Sequence, residues 1–512
     1  MIYRGSLKKI HRFETGRYTA FFLLFLVIIS ACASKETEVA WDTDLPRLGS
    51  QSSPRAVDLN HDDVLDIVIG AGENEYVATE KGILAIDGKS GELLWQHAAE
   101  DLVFGSATFS DITDDGVPDV FIGGRSSMLA ALDGKDGELI WRYNPESFGS
   151  DGILQFARHN FYSSVLVPDQ NGDGYYDLMT QNGGNPRIGP GIEEGRDPGV
   201  LMLFDSRTGA ILAADTMPDG KESYMSPLSY TEESTGETRI VFGSGGETIS
   251  GNLYVAKLQD LMNQQLGLAR IVASEEGHGF IAPPVLADIN GDMQLDIIAI
   301  SHSSGIFAIN GRDYDMMWQQ RFSGTECSNS FSVGYFTDDD VPDFFTFVSK
   351  GAWPNNTGLV QILLDGSNGD VVFTDSLGCT GFSSPVVYDL NHDGYDEVII
   401  SINLFDCLQG FSGEIRTIEH QLLAIDFATG TNYIIEQKNQ FKNIFSTPWI
   451  GDLDDDQYLD IVYCQFYHTS PYITAFLGMN IKCISTHISL EEPVQWGAYM
   501  GSSGDGIFHK TR

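Results

Sequence analysis

Apolar and polar positions along this chain fall into short runs that recur, with no long amphipathic stretches. A short apolar segment leads into an acid-rich loop, and a β-branched run follows at once, as in Ile67 to Ile69, Ile297 to Ile298, Val398 to Ile400 and Ile461 to Val462. A third apolar segment then enters an Asp-x-x-x-Gly-x-x-x-aromatic turn, seen as Asp87, Gly91 and Trp95, as Asp133, Gly137 and Trp141, and as Asp365, Gly369 and Phe373. Weaker copies stand at Asp205 with Gly209, Asn310 with Trp318 and Asp426 with Gly430. Apolar runs this short, bounded by turn residues, predict strands. Helical periodicity is confined to residues 258–268. Four strands per unit of about 50 residues is the pattern of a propeller blade.

The acidic loops make the repeat countable. Their polar positions 1, 3, 5 and 9 are Asp58, Asn60, Asp62 and Asp66; Asp111, Thr113, Asp115 and Asp119; Asp169, Asn171, Asp173 and Asp177. Three further copies hold Asp288, Asn290, Asp292 and Asp296; Asp389, Asn391, Asp393 and Glu397; Asp452, Asp454, Asp456 and Asp460. A degenerate copy begins at Tyr335 and keeps Asp339 and Asp343. The starts at 58, 111, 169, 288, 335, 389 and 452 are 53, 58, 119, 47, 54 and 63 residues apart, and the 119 is a double step. Residues 226–246 fill it: Ser226, Pro227 and Leu228 match Ser384, Pro385 and Val386, and Arg239 to Gly243 match the strand that follows a loop elsewhere. The predicted fold is therefore all-β, a single propeller of four-stranded antiparallel blades, eight in number with seven as the alternative. Trp41 to Pro46 and Gln495 to Met500 are the two segments able to close the ring.

Carboxylates and amides at positions 1, 3 and 5 of a tight loop converge on one point, position 7 offers a carbonyl, and position 9 adds a carboxylate. That oxygen-only set suits Ca²⁺. Position 6 calls for positive φ, which Gly116, Gly174 and Gly394 supply freely, Asp63 tolerates, and Met293 and Gln457 adopt only at a cost. An EF-hand needs a Glu at position 12, where this chain has Ile69, Thr180, Ile400 and Tyr463. The acidic loop followed by a β run resembles the FG-GAP repeat of integrin α-subunit propellers, and the Asp-x-x-x-Gly-x-x-x-Trp turn resembles the repeat of pyrroloquinoline-quinone-type propellers. The two resemblances cover residues 51 to 480. They imply the fold and several structural Ca²⁺ ions, with function left open because propellers host many activities. Quinone-dependent enzymes of that type carry an adjacent Cys pair at the cofactor, which this chain lacks, so no pyrroloquinoline quinone is expected.

Charge narrows the partners. Lys and Arg number 30 against 72 Asp and Glu, a formal charge of -42 that repels phosphate backbones and excludes nucleic acid. Arg4, Lys8, Lys9, Arg12 and Arg17 precede an apolar run from Ala20 to Ile29, which ends in Ser30, Ala31 and Cys32. The run is too short for the ~20 residues of a membrane span and reads as a signal peptide. Its end resembles a bacterial lipobox, which implies cleavage before Cys32 and lipidation of that residue. The expected organisation is a signal peptide over 1–31, a lipidated Cys and tether over 32–45, and a propeller over 46–512. Five cysteines remain, an odd number; Cys327 and Cys379 occupy similar places in neighbouring repeats and are either bridged or small core residues.

Strand parity places the acidic loops and the Asp-x-x-x-Gly turns on one face of the disc. The connections between strands two and three, and from blade to blade, lie on the other. Long insertions fall there, over 181–199 with Arg187, Glu193, Glu194, Arg196 and Asp197, and over 403–420 with Phe405 and Arg416. Blade-to-blade segments add Arg158, His159, Phe161, Tyr162, His278 and Phe280. Arg158, His159, Tyr162, Arg187, Arg196 and Phe405 are the candidate ligand contacts. No catalytic residue is assigned: HExxH is absent, and Gly88, Lys89 and Ser90 imitate a phosphate loop with Ile83 where its first Gly belongs. The expectation is a monomeric, calcium-binding module, lipid-anchored in the cell envelope at the outer membrane, that binds an envelope or extracellular protein or a glycan. A barrel-assembly scaffold lipoprotein and a polysaccharide-lyase-like enzyme are the alternatives.

Overall fold

The apolar runs pair in the order the repeat implies. In the computed structural model, which describes residues 37–147, 152–185, 187–353, 355–409, 417–467 and 476–509, strands Arg55–Val57, Asp66–Gly70, Thr79–Ile86 and Leu93–Ala99 form one antiparallel sheet in chain order. Seven further sheets span 108–142, 160–216, 228–275, 285–321, 325–375, 386–439 and 441–489. These are blades 1 to 8 of an all-β, eight-bladed propeller. The segment 1–31 read as a signal peptide, Cys32 and Arg416 lie outside the described residues.

Burial follows from each blade being sandwiched between two others. All five residues of the second strand are buried in Asp66–Gly70, Asp119–Gly123 and Asp296–Ile300, which is why these strands read as unbroken apolar runs. The outer fourth strand, as in Leu93–Ala99, is mostly open to solvent and buries only Trp95 and Ala99. Blade 4 sits where the double step predicts it. Its first loop carries ion pairs instead of an acid cluster, with Arg239 2.7 Å from Glu232 and 2.8 Å from Glu237, and Lys257 2.7 Å from Glu237. The helical periodicity of 258–268 becomes the helix Leu258–Met262 and the single 3₁₀ turn Leu266–Leu268.

The N-terminal segment closes the ring. Strand Glu38–Pro46 runs antiparallel to Gly478–Ser489 and completes blade 8, so residues 38–45, placed in the tether on sequence grounds, belong to the propeller. The segment around Trp496 does something else: it plugs the centre. Val387 N donates to Trp496 O at 2.9 Å, Ile450 N to Gly497 O at 2.7 Å and Leu286 N to Gly506 O at 2.9 Å. Arg55 reaches in from blade 1 to donate to Gly501 O at 3.3 Å and Tyr499 O at 2.5 Å. The plug is therefore tied to the inner strands of blades 1, 5, 7 and 8.

Two repeating contacts hold the blades together. A Trp on each of four outer strands donates its indole N–H to the next blade's turn: Trp41 to Gly88 O at 2.6 Å, Trp95 to Gly134 O at 2.7 Å, Trp141 to Ser206 O at 2.7 Å and Trp318 to Gly366 O at 2.9 Å. The glycine of that turn lies on the indole. Gly137 has φ 74°, and a Cβ there would stand 2.6 Å from Trp95, so both its backbone and its lack of side chain are required. Around the axis, backbone N–H groups bond hydroxyls of the following blade: Ser330 to Ser384 at 3.0 Å, Ser384 to Thr447 at 2.9 Å, Thr447 to Ser53 at 2.9 Å, Ser53 to Ser106 at 3.3 Å and Ser106 to Ser163 at 3.0 Å.

A disulfide joins Cys379 to Cys407, tying the connection between blades 6 and 7 to the 403–420 insertion. The alternative bridge from Cys327 is excluded: Cys327 is a buried free thiol, as are Cys464 and Cys483. Cys327 sits in blade 6 among Phe331, Phe347 and other core side chains, where it acts as a small apolar residue.

Candidate functional site

The acidic loops share one backbone shape. Position 6 has positive φ in all six complete copies, at 66° in Asp63, 88° in Gly116, 95° in Gly174, 64° in Met293, 90° in Gly394 and 68° in Gln457. Met293 and Gln457 thus accept the left-handed conformation that glycine adopts freely. Position 9 is a brace. Asp66 accepts from Leu59 N at 2.9 Å and from Gly88 N at 3.1 Å, linking the acidic loop to the Asp-x-x-x-Gly turn. Asp119 does the same with Ile112 and Gly134, Asp296 with Ile289 and Gly311, and Asp343 with Phe336 and Gly366. Asp177, Glu397 and Asp460 accept from Gln170, Leu390 and Leu453.

Burial raises these brace carboxyls, Asp66, Asp177, Asp296, Asp343 and Asp460 to about 6 and Glu397 to about 8. Among the described residues, ligand-capable oxygens converge within 4.8 Å of one another at Asp452, Asp454, Asp456 and Asp460, and at Asp389, Asp393 and Glu397. Both clusters are hard-oxygen sets of the kind that holds Ca²⁺. In the loop at Asp169 the first carboxylate is turned onto backbone N–H groups of Asn171, Gly172 and Gly174, at 2.6 to 3.0 Å. Those bonds pull its pKa down.

The opposite face opens into a funnel of about 640 Å³. Its floor is Tyr499 of the plug and Ser53, Ser106 and Ser163 of the hydroxyl ring; its walls are Tyr76, Phe104, Tyr162 and Tyr224 on one side and Trp353, Phe382 and Phe445 on the other. Phe382 stacks on Phe445 with centroids 5.3 Å apart and meets Trp353 edge-on at 5.9 Å. Two ion pairs, Arg125 with Glu75 and Arg196 with Glu222, stand in the wall beside Glu247.

Of the six candidate contacts, Tyr162 and Arg196 line this funnel. Arg196 is saturated: its guanidinium donates to Ile192 O at 2.7 Å, Ile188 O at 3.2 Å, Gly189 O at 3.0 Å, Glu222 at 2.5 Å and Tyr224 at 3.3 Å. Five bonds use every donor a guanidinium has, so Arg196 pins the 181–199 insertion. Arg158 pairs with Glu146 at 3.1 Å, His159 with Asp197 at 2.9 Å, and Arg187 is exposed. Phe405 does not line the funnel; it is partly buried against the same apolar cluster as Trp353, Phe382 and Phe445. Phe161 and Phe280 are fully buried core residues. Glu75, Phe104, Arg125, Tyr224, Trp353, Phe382 and Phe445 were not singled out from sequence, although they fall in the connections that strand parity points to, and Tyr499 belongs to Gln495 to Met500, one of the two segments expected to be able to close the ring.

No family model matches the chain, and no curated protein matches it. Solved structures do. A europium-containing methanol dehydrogenase superposes with a TM-score of 0.58 at 10% identity, covering 88% of this chain and 93% of that one. The likeness is one of fold. BamB from Moraxella catarrhalis aligns at a TM-score of 0.46 and 13% identity over 87% of this chain and 97% of that one. The exotype rhamnogalacturonan lyase YesX aligns at 0.37 and 13% over 88% and 74%.

Proposed function

We propose that the chain is a lipid-anchored propeller of the bacterial cell envelope, stiffened on one face by Ca²⁺ and binding a protein or glycan through the funnel on the other. The observation that carries this reading is the funnel itself. A through-channel would leave nothing to hold a ligand, but the C-terminal plug closes it at Tyr499 and leaves a blind cavity of about 640 Å³ walled by aromatic rings that are half-buried except for the exposed Tyr76. Aromatic walls with a few fixed polar groups are the usual make-up of a binding pocket, and such rings offer large apolar faces with a polar edge at Tyr and Trp. The Ca²⁺ ions would neutralise the clustered carboxylates at Asp389 and Asp452 and leave the ring rigid.

The test is binding of the full-length chain in detergent to a glycan array and to an envelope-protein pull-down, with Phe104→Ala and Trp353→Ala as variants. Loss of a specific hit in both variants supports the funnel. A hit that survives both substitutions moves binding elsewhere and overturns the reading. Cleavage of a bound glycan would replace the binder by the lyase alternative.

A further inference from the structure

Beside the aromatic wall, three side chains that the loops and the funnel do not use come together. His278 lies between blades 4 and 5, His302 between strands two and three of blade 5, and Glu326 in the broken inner strand of blade 6. All three connections belong to the funnel-side face. We propose that His278, His302 and Glu326 form a binding site for a divalent transition metal of the zinc class.

The argument begins with the protons. His302 Nδ1 is 3.1 Å from Cys327 O, and His278 Nδ1 is 2.6 Å from Glu247 O. A carbonyl oxygen can only accept, so each Nδ1 carries the hydrogen and each Nε2 keeps a lone pair. Metal-binding histidines are oriented in this way, with the second ring nitrogen donating to a backbone carbonyl. The free nitrogen of His302 faces Glu326, with Nε2 3.8 Å from Oε2. Two acceptors thus confront each other where His302 is only 4% exposed, and a cation between them resolves the clash.

Spacing agrees with chemistry. Zinc bonds of 2.0–2.1 Å at a tetrahedral angle separate two donor atoms by about 3.3 Å and two ring centroids by about 5 Å. The observed centroids of His278 and His302 are 5.7 Å apart. Among the described residues only acidic loops bring three or more donors within 4.8 Å of one another, so binding would have to draw the half-buried His278 ring toward the other two ligands. Imidazole nitrogen with carboxylate selects zinc-like ions over Ca²⁺. Glu326 Oε2 also accepts from Trp353 N at 2.7 Å, which fixes the carboxylate and joins the site to the funnel wall.

The experiment is a calorimetric titration of the full-length chain in detergent with Zn²⁺, with excess Ca²⁺ present to occupy the oxygen sites. Co²⁺ in parallel reports nitrogen ligation by visible absorption. One equivalent of Zn²⁺ is expected, weakened roughly tenfold or more by His278→Gln and by Glu326→Gln, with the Ca²⁺-dependent melting temperature unchanged in both. Absence of Zn²⁺ binding to the Ca²⁺-loaded protein overturns the proposal, as does an affinity that neither substitution alters. His278 sits on a connection outside the buried core, so its variant separates metal loss from misfolding.

Discussion

The indole nitrogen of Trp41 donates to the carbonyl oxygen of Gly88 at 2.6 Å, the same contact that Trp95 makes with Gly134 one blade on. Trp41 precedes every blade in sequence yet serves as the outer-strand tryptophan of blade 8, and through it the last blade is locked to the first. Its side chain is 6% exposed. Trp41→Ala should therefore cost roughly 3–5 kcal/mol in urea denaturation, the range for emptying a buried Trp site. Removing residues up to 45 should leave the Gly478–Ser489 edge unpaired and the protein prone to association, read by light scattering. A monomeric, equally stable truncation would show that the ring closes without this strand.

The two convergent loops predict a division of labour among their carboxylates. Asp456 is exposed and accepts within its own loop, from Tyr458 N at 2.8 Å, whereas Asp460 accepts from Leu453 N at 3.0 Å and Ser485 Oγ at 2.8 Å. Chelation should lower the melting temperature of the native chain, because an ion bound only to the folded state at a hundred times its dissociation constant adds about 2.7 kcal/mol. Asp456→Asn should remove part of that increment and leave the chelated protein unchanged. Asp460→Asn should destabilise the chelated protein as well, by about 1–3 kcal/mol for two compromised buried bonds. Equal effects of the two substitutions in chelator would contradict the brace.

Blade count, strand order and the faces assigned to each loop were legible because the repeat advertises them. A loop start every 47 to 63 residues, with one double step, locates even blade 4, whose ion pairs around Arg239 carry no acidic signature. Contacts across the ring were not legible. Nothing local distinguishes Trp41 from Trp496, yet one completes a sheet and the other plugs the axis. Sequence places Phe161 in a blade-to-blade segment, but it starts the inner edge of blade 3 and is core, whereas Phe104 stays between blades and faces the funnel. Cys407 was hidden for the same reason: its partner is 28 residues away, across a strand pair whose register decides the approach.

The disulfide gives a thiol count that also tests lipidation. With Cys379 bonded to Cys407, alkylation of the unfolded, unreduced chain should label Cys327, Cys464 and Cys483. A lipidated Cys32 would stay unlabelled, and a fourth label there, found by mass spectrometry, would count against the anchor. Replacing Cys379 and Cys407 together by Ser should lower stability by about 3.5 kcal/mol for a loop of this size. An unchanged melting temperature would mean that the bridge adds nothing to the stability of the fold.

Acid sensitivity should trace to buried histidine. His420 is 1% exposed, lies 2.6 Å from Ser401 Oγ and 2.8 Å from Gln465 Oε1, and burial lowers its pKa to about 4. A histidine released by unfolding titrates near 6.5. Between those values the unfolded chain binds a proton that the folded chain refuses, so stability falls as pH drops through that window and the loss is complete below about 4. The brace carboxyls act in the opposite sense, since their raised values add stability as they protonate below about 6. Comparison with His420→Gln cancels that contribution. The native chain should lose on the order of 3 kcal/mol relative to the variant between pH 7 and 4, measured by urea unfolding at each pH, and parallel curves would show that His420 accepts its proton while folded.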